Sequence, residues 1–263
     1  MAVEQERKHL AHPACEAAAA THPGKVRSGN EDAYGMSLKD GVFLVCDGMG
    51  GAAAGEVASD MTVSAMLASF ADWSDHESSR SDPAMALHDA IAEANHTLYS
   101  KAAKDNSLHG MGTTLVALAL VGNSAWVAHV GDSRCYMWRD GALKQCTLDH
   151  SLVDEQVRMG SITAEEAARS PLRNVITKAV GSQKSISPDV SELPVANGDV
   201  FLLCSDGLTR ELDSRQIVEV LESESDLQAA CTKLIDRANL SGGRDNITCV
   251  LVRVCGSDHP GPA

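Results

Sequence analysis

The sequence predicts an α+β fold: two antiparallel sheets packed together, each covered on its outer face by helices, a four-layer αββα sandwich. Three observations lead there. Helix-like and strand-like segments come in blocks rather than in strict alternation, which favours α+β over a doubly wound parallel sheet. The stretch VALALVGNSAWVAHVGDSRCYMWRDGALKQ carries two turn signals, Gly122-Asn123 and Asp140-Gly141, which join neighbouring strands antiparallel. The chain has 263 residues, a length that suits one large domain or two small ones, and is 44% hydrophobic, enough to bury a substantial core. Aromatic residues make up only 3%, so Val, Leu, Ala, Ile and Met must fill that core.

Taken in order, residues 1–14 read as an N-terminal tail and 15–255 as a single domain. The alanine run Ala17 to Ala20 fits either a helical turn or an edge strand. Residues 42–46 form a short buried strand, ended by Asp47 and a glycine-rich turn. From Glu56 to about Ala71, the residues Val57, Met61, Ala65 and Ala68 share one helical face. The polar stretch 72–82 reads as a solvated loop, and Pro83 opens a second helix with Asp82 as its N-cap. Leu87, Ile91, Ala94 and Leu98 recur along it at helical spacing. From Thr113 the pattern turns strand-like, and the two turn signals predict an antiparallel meander of about four strands. Residues 149 to about 185 lack strand periodicity, and Thr163 to Glu166 fits a capping box, so short helices are expected there. A strand at 198–204 follows, then an amphipathic helix at about 227–239 through Leu227, Cys231, Leu234 and Ala238. A strand at 246–254 closes the domain, and 256–263 reads as a C-terminal tail.

The formal net charge of −14 argues against binding nucleic acid or anionic lipid through a general field. None of the eight cysteines forms a C-x-x-C pair, which speaks against a zinc site. Cys46, Cys204 and Cys249 lie inside apolar runs and read as small buried hydrophobes in a reducing compartment. The N-terminus lacks the apolar core of a signal peptide, and no run approaches about 18 apolar residues. A cytoplasmic location is expected.

One pattern occurs four times: an aspartate in a small-residue turn at the end of an apolar run. GVFLVC precedes Asp47, AWVAHV precedes Gly131-Asp132, DVFLLC precedes Ser205-Asp206, and NITCVLVRV follows Asp245. Strands of a sheet end at a common edge, so four such carboxylates can converge. At about 4 Å and an effective dielectric of about 20, each like-charged pair costs roughly 4 kcal/mol. A cation is therefore expected among them, and all-oxygen ligands select hard ions such as Mg²⁺ or Mn²⁺. Two such ions roughly 3.5–4 Å apart can share one water, bring its pKa toward neutrality and offset charge on phosphoryl oxygens.

The motifs in chain order are GKVRSGNED (Gly24 to Asp32), DGMGGAAAGEVAS (Asp47 to Ser59), MGTT (Met111 to Thr114), GDSR (Gly131 to Arg134), SDGL (Ser205 to Leu208) and DNIT (Asp245 to Thr248). Any one alone is an ordinary turn. Six in this order over about residues 20–254 closely resemble the metal-dependent protein phosphatases of the type 2C family, in their bacterial single-domain branch. The resemblance implies that Asp47 bridges two metal ions and that the Gly48 carbonyl ligates the second. It makes Asp206 and Asp245 ligands of the first. Glu31 and Asp32 are implied to hold metal-bound waters, and Arg27 to grip the substrate phosphate with its planar fork. Asp132 is implied to ligate, with Asp206, a third and weaker ion.

On this reading the chain is a Mn²⁺- or Mg²⁺-dependent hydrolase of phosphoserine and phosphothreonine in proteins, opposing a bacterial Ser/Thr kinase and working as a monomer. Eukaryotic members carry a histidine, proposed as general acid, where this chain has Met49. A thioether donates no proton, which leaves a metal-bound water as the leading acid, with His109 and His150 behind it. Residues 150–180 match the position of the mobile flap. Met111 to Thr114 reads as packing beside the site, and His129 as a satisfied core histidine. A rival reading, a silent relative that only binds phosphoproteins, conflicts with the intact set of acidic positions. A phosphoaspartyl-enzyme hydrolase would need a D-x-D motif that the chain lacks.

Overall fold

A computed structural model describes residues 12–75 and 82–256. The expected tails at 1–14 and 256–263 fall almost wholly outside these residues. Two antiparallel sheets face each other. The first has the order β1 (Cys15–His22), β11 (Ile247–Val254), β10 (Val200–Cys204), β7 (Arg134–Arg139) and β8 (Ala142–Gln145). The second runs β2 (Asp32–Ser37), β3 (Val42–Met49), β5 (Leu115–Val121), β6 (Ser124–Val130) and β9 (Asp189–Pro194). A two-residue strand, β4 (Gly112–Thr113), pairs with the end of β3. Helices α1 (Ala52–Asp75) and α2 (Pro83–Ala102) cover the second sheet. Helices α6 (Ser214–Ser223) and α7 (Leu227–Ser241), with the short α5 (Asp206–Thr209), cover the first. Two more short helices, α3 (Leu152–Arg158) and α4 (Ala164–Arg169), stand between β8 and β9 in the chain.

Strand alternation sorts side chains into three core layers. On β3, Val42, Leu44 and Cys46 pack toward α1 and α2, while Phe43 and Val45 enter the layer between the sheets. On β10, Val200, Leu202 and Cys204 face α6 and α7, while Phe201 and Leu203 meet the other sheet. An antiparallel strand with one wet face alternates polar and apolar residues. These strands are buried on both faces, which is why they read as unbroken apolar runs.

The capping box at Thr163 and the Asp82 N-cap both form, with Asp82 Oδ1 accepting from Ala84 N. The alanine run is an edge strand, paired in register with β11. Three expectations need correction. Helix α1 is longer than 56–71, so 72–75 are helical rather than loop; residues 76–81 lie outside the described residues. The strands from Thr113 do not form one meander. β5–β6 is a hairpin of one sheet and β7–β8 a hairpin of the other, parted at Gly131 to Ser133. Their turns differ too. Gly122 alone has positive φ (60°) in the first turn, whereas Asp140 (52°) and Gly141 (79°) both do in the second, the II′ and I′ patterns. The last two strands begin at Val200 and Ile247, slightly later than expected. The break between the hairpins carries Asp132 from one sheet toward the other.

Candidate metal centre

Asp47 lies near the end of β3, opposite Asp32 of β2 in the ladder. Its backbone is clamped by the segment after β4: Thr114 N donates to Asp47 O (2.9 Å), and Asp47 N donates to Thr114 Oγ1 (3.0 Å). Thr113 Oγ1 also donates to Asp47 O (2.9 Å). Met111 to Thr114 is therefore more than packing; its two threonines fix the main chain of Asp47. Thr114 Oγ1 is also 2.6 Å from Ser133 Oγ, in the loop that carries Asp132. The same loop is held from the other side, where Gly131 N donates to His150 Nδ1 (3.1 Å).

The glycine after each central aspartate has a steric reason. A Cβ on Gly48 would lie 2.1 Å from the carbonyl oxygen of Gly55 and 2.6 Å from that of Glu31. A Cβ on Gly207 would lie 1.9 Å from the carbonyl oxygen of Asn246. Backbone crosses backbone at both places, and no side chain fits between.

Asp206 opens α5, and Ser205 before it turns away from the usual cap bond. Ser205 Oγ donates instead to Asp32 Oδ2 (2.7 Å) and accepts from Thr248 N (3.1 Å), tying the two sheets together beneath the acids. Asn246 completes the frame. Its Oδ1 accepts from Glu31 N (2.8 Å), and its Nδ2 donates to the carbonyls of Pro23 (3.0 Å) and Gly29 (2.8 Å), on the loop bearing Arg27. Glu31 O accepts from Gly48 N (3.0 Å) and Ser59 Oγ (2.7 Å).

The electrostatics are those of crowded, desolvated acids. Desolvation, reinforced by the charges of Asp32, Asp206, Asp132 and Asp245, pushes the Asp47 carboxyl well above its usual range. Desolvation and Asp132 do the same to Asp206, against the pull of Arg210. Asp132 is raised by burial and by Asp149, with Arg210 opposing. Burial lifts Asp32 to about 6. Glu31 is raised by burial, with Arg27 opposing. Asp47, Asp132, Asp206 and Asp245 thus come within mutual repulsion, as the strand-end pattern predicts, with Glu31 and Asp32 beside them.

Among the described residues, Asp32 Oδ1 and Asp206 Oδ1 are buried with no hydrogen-bond donor. Bare buried carboxylate oxygens in an all-oxygen cluster fit a hard divalent cation. Arg27 is exposed, and its Nη2 donates to Asp245 Oδ2 (3.0 Å). Arg210, which the sequence reading passed over, reaches three of the acids at once. It ion-pairs with Asp206, lies 3.3 Å from Asp245 and 3.9 Å from Asp132.

A cleft of about 690 Å³ adjoins the cluster, lined by Arg27, Asp132, Asp206, Arg210 and Asp245 on one side and by α3 and α4 on the other. Among the described residues, no histidine lines it. His150 is buried, stacked on His129, and pushed down to about 4 by burial and its cationic neighbours, so it holds no acidic proton at neutral pH. His129 is satisfied by the carbonyl of Leu148 (2.7 Å). Asp149 forms a forked pair with Arg134, and Ser151 caps α3.

The family model of protein phosphatase 2C matches residues 24–251. The serine/threonine phosphatase stp of Listeria innocua is 38% identical over 237 residues, covering 88% of this chain and 93% of its own. The crystal structure of the Mycobacterium tuberculosis serine/threonine phosphatase PstP/Ppp superimposes with a TM-score of 0.83 at 35% identity, over 92% of this chain and 99% of that one. A structure of the PstP catalytic domain in complex with two manganese ions gives a TM-score of 0.80 at 35% identity, over 92% and 98% of the two chains.

Proposed function

The chain belongs to the protein phosphatase 2C family, and from that premise we propose that it hydrolyses phosphoserine and phosphothreonine in proteins with the help of Mn²⁺ or Mg²⁺. The observation that carries this reading is the convergence of Asp47, Asp132, Asp206 and Asp245 from the ends of two sheets, with buried carboxylate oxygens left bare. Asp47 and the Gly48 carbonyl would hold the ions from β3, and Asp206 and Asp245 from the opposite sheet. Asp132 would contribute to a third site. Two divalent ions at such a site supply an activated water and positive charge over the phosphoryl oxygens.

The protein's own part is positional. Thr113, Thr114 and Ser205 fix the acids, Glu31 and Asp32 accept protons and hydrogen bonds beside them, and Arg27 offers its fork to the phosphate. With Met49 after the first Asp-Gly pair and no histidine lining the cleft among the described residues, the leaving oxygen takes its proton from water. The 150–180 segment forms one wall of the cleft and shapes access for the phosphoprotein. A Ser/Thr kinase supplies the substrates, and the enzyme works in the cytoplasm as a monomer. No helix among the described residues is long and apolar enough to cross a membrane. The test is phosphate release from a phosphothreonine peptide with Mn²⁺, with Mg²⁺, and with chelator. Release that persists in chelator would overturn the proposal.

A further inference from the structure

Arg210 stands one helical turn beyond Asp206, at the C-cap of α5. Its guanidinium is shared among Asp206, Asp132 and Asp245, which come from three separate elements. The side chain is about one-third exposed, so it faces the cleft as well as the acids; its side-chain exposure is 32%. Resting on the reading above, these three carboxylates are among those that would hold divalent cations. A guanidinium and a divalent ion compete for the same oxygens.

We propose that Arg210 is a built-in competitor for the divalent cation at the Asp132–Asp206–Asp245 face. With no ion bound it neutralises the three acids. When an ion binds there, the guanidinium leaves for the cleft. Arginine suits such a role because it keeps its charge at every accessible pH and is weakly hydrated, which lowers the cost of a half-buried position. The apparent affinity for the ion is then reduced by the fraction of molecules in which Arg210 has withdrawn. Ion binding also changes the cleft. Arg27 and Arg210 hold the same oxygen, Asp245 Oδ2, at 3.0 and 3.3 Å. An ion at Asp245 releases both arginines toward the space where a phosphate would lie. Cation and phosphate binding are thereby coupled, each favouring the other.

The experiment is calorimetric titration of the full chain with Mn²⁺ alone, comparing the unmutated protein with Arg210→Gln, Arg210→Ala and Arg210→Lys. Charge-assisted hydrogen bonds of this kind predict that Gln and Ala tighten the weakest Mn²⁺ site by about tenfold, while Lys changes it little. The melting temperature in chelator should fall for Gln and Ala. Unchanged or weaker Mn²⁺ binding in both would overturn the proposal, the second result meaning that Arg210 arranges the acids for the ion. If the unmutated protein takes up no Mn²⁺, the functional reading fails and this inference with it. Equal uptake by all four proteins leaves that reading intact and removes this one.

Discussion

On the β3 side of the acidic cluster, Asp47 and Asp32 face each other across a ladder and, among the described residues, form no ion pair. They are held by main-chain bonds from Thr114 and a hydroxyl from Ser205, and their charge problem is met by raised pKa values. On the β10–β11 side, Asp206, Asp132 and Asp245 share Arg210, and Asp245 takes Arg27 as well. The first side meets its charge by protonation alone; on the second, Asp132 and Asp206 are raised as well, but two guanidinium groups share the load. The contrast teaches that a fold can carry a cluster of acids without its ions in two ways, and that the two sides should respond differently to the same perturbation.

The largest effect expected is from Asp47→Asn. Metal-dependent phosphate release should drop by about a thousandfold, equivalent to about 4 kcal/mol of barrier. In chelator the same variant should melt higher than the unmutated protein, because an uncompensated repelling charge is gone. Asp206→Asn should lose activity too but gain less stability, since Arg210 loses a partner. A larger gain for Asp206→Asn would break the comparison.

Steric effects come next. Gly48→Ala and Gly207→Ala each force a methyl against a carbonyl oxygen of the main chain, and neither side can yield cheaply. Each should cost about 3 kcal/mol or more, read from denaturant unfolding in chelator. A cost under about 1 kcal/mol at either glycine would mean that the crossing is loose on that side.

The pH dependence sharpens the same contrast. In the folded, ion-free protein the carboxyls of Asp47, Asp206 and Asp32 are raised, Asp32 to about 6. The folded state therefore binds more protons than the unfolded chain. Stability from these groups is complete below about pH 4 and is lost as pH rises through the folded-state values. Stability in chelator should thus rise as pH falls from 7 toward 5, by on the order of 1 kcal/mol for a shift the size of that at Asp32. With Mn²⁺ present the slope should reverse, because protons and ions compete for one set of oxygens. An unchanged slope on adding Mn²⁺ would count against ion binding by these acids.

The acids were legible in the sequence because each sits where an apolar run meets small residues, three after the run and Asp245 before it, and these strand ends of the two sheets fall together. Arg210 was not, because a four-residue helix is too short to show a period. The split of the two hairpins was invisible for a related reason. A turn signal marks a reversal of the chain but not which sheet the next strand joins. That information lies in Gly131, whose φ of 100° turns the chain out of the ladder. β2 was missed because Gly35 interrupts it, a glycine required where Val63 and Leu67 of α1 press against the strand. β9 was missed as a polar edge strand ending in Pro194. Helix α6 does carry a helical signal, with Ile217, Val220 and Leu221 on one face.

The smallest effect is the most selective. A Cβ on Gly55 would lie 1.9 Å from Glu31 Oε2, the far end of a flexible side chain, and 3.0 Å from the carbonyl carbon of Gly48. The carboxylate can swing away where a backbone carbonyl cannot. Gly55→Ala should therefore cost the fold only about 1 kcal/mol, with alanine's better helix propensity in α1 offsetting part of the displacement. Glu31, however, would be driven from its place near Arg27, Asp245 and Glu56, and the added methyl would press on the main chain at Gly48, while Arg210 stays where it is. Calorimetry should then show Mn²⁺ binding weakened most at the β3 side, through the contact with Gly48, and less at the site that Arg210 guards. Equal loss at every site would mean that the two sides answer to a single rigid frame, and that the contrast between them is only one of charge.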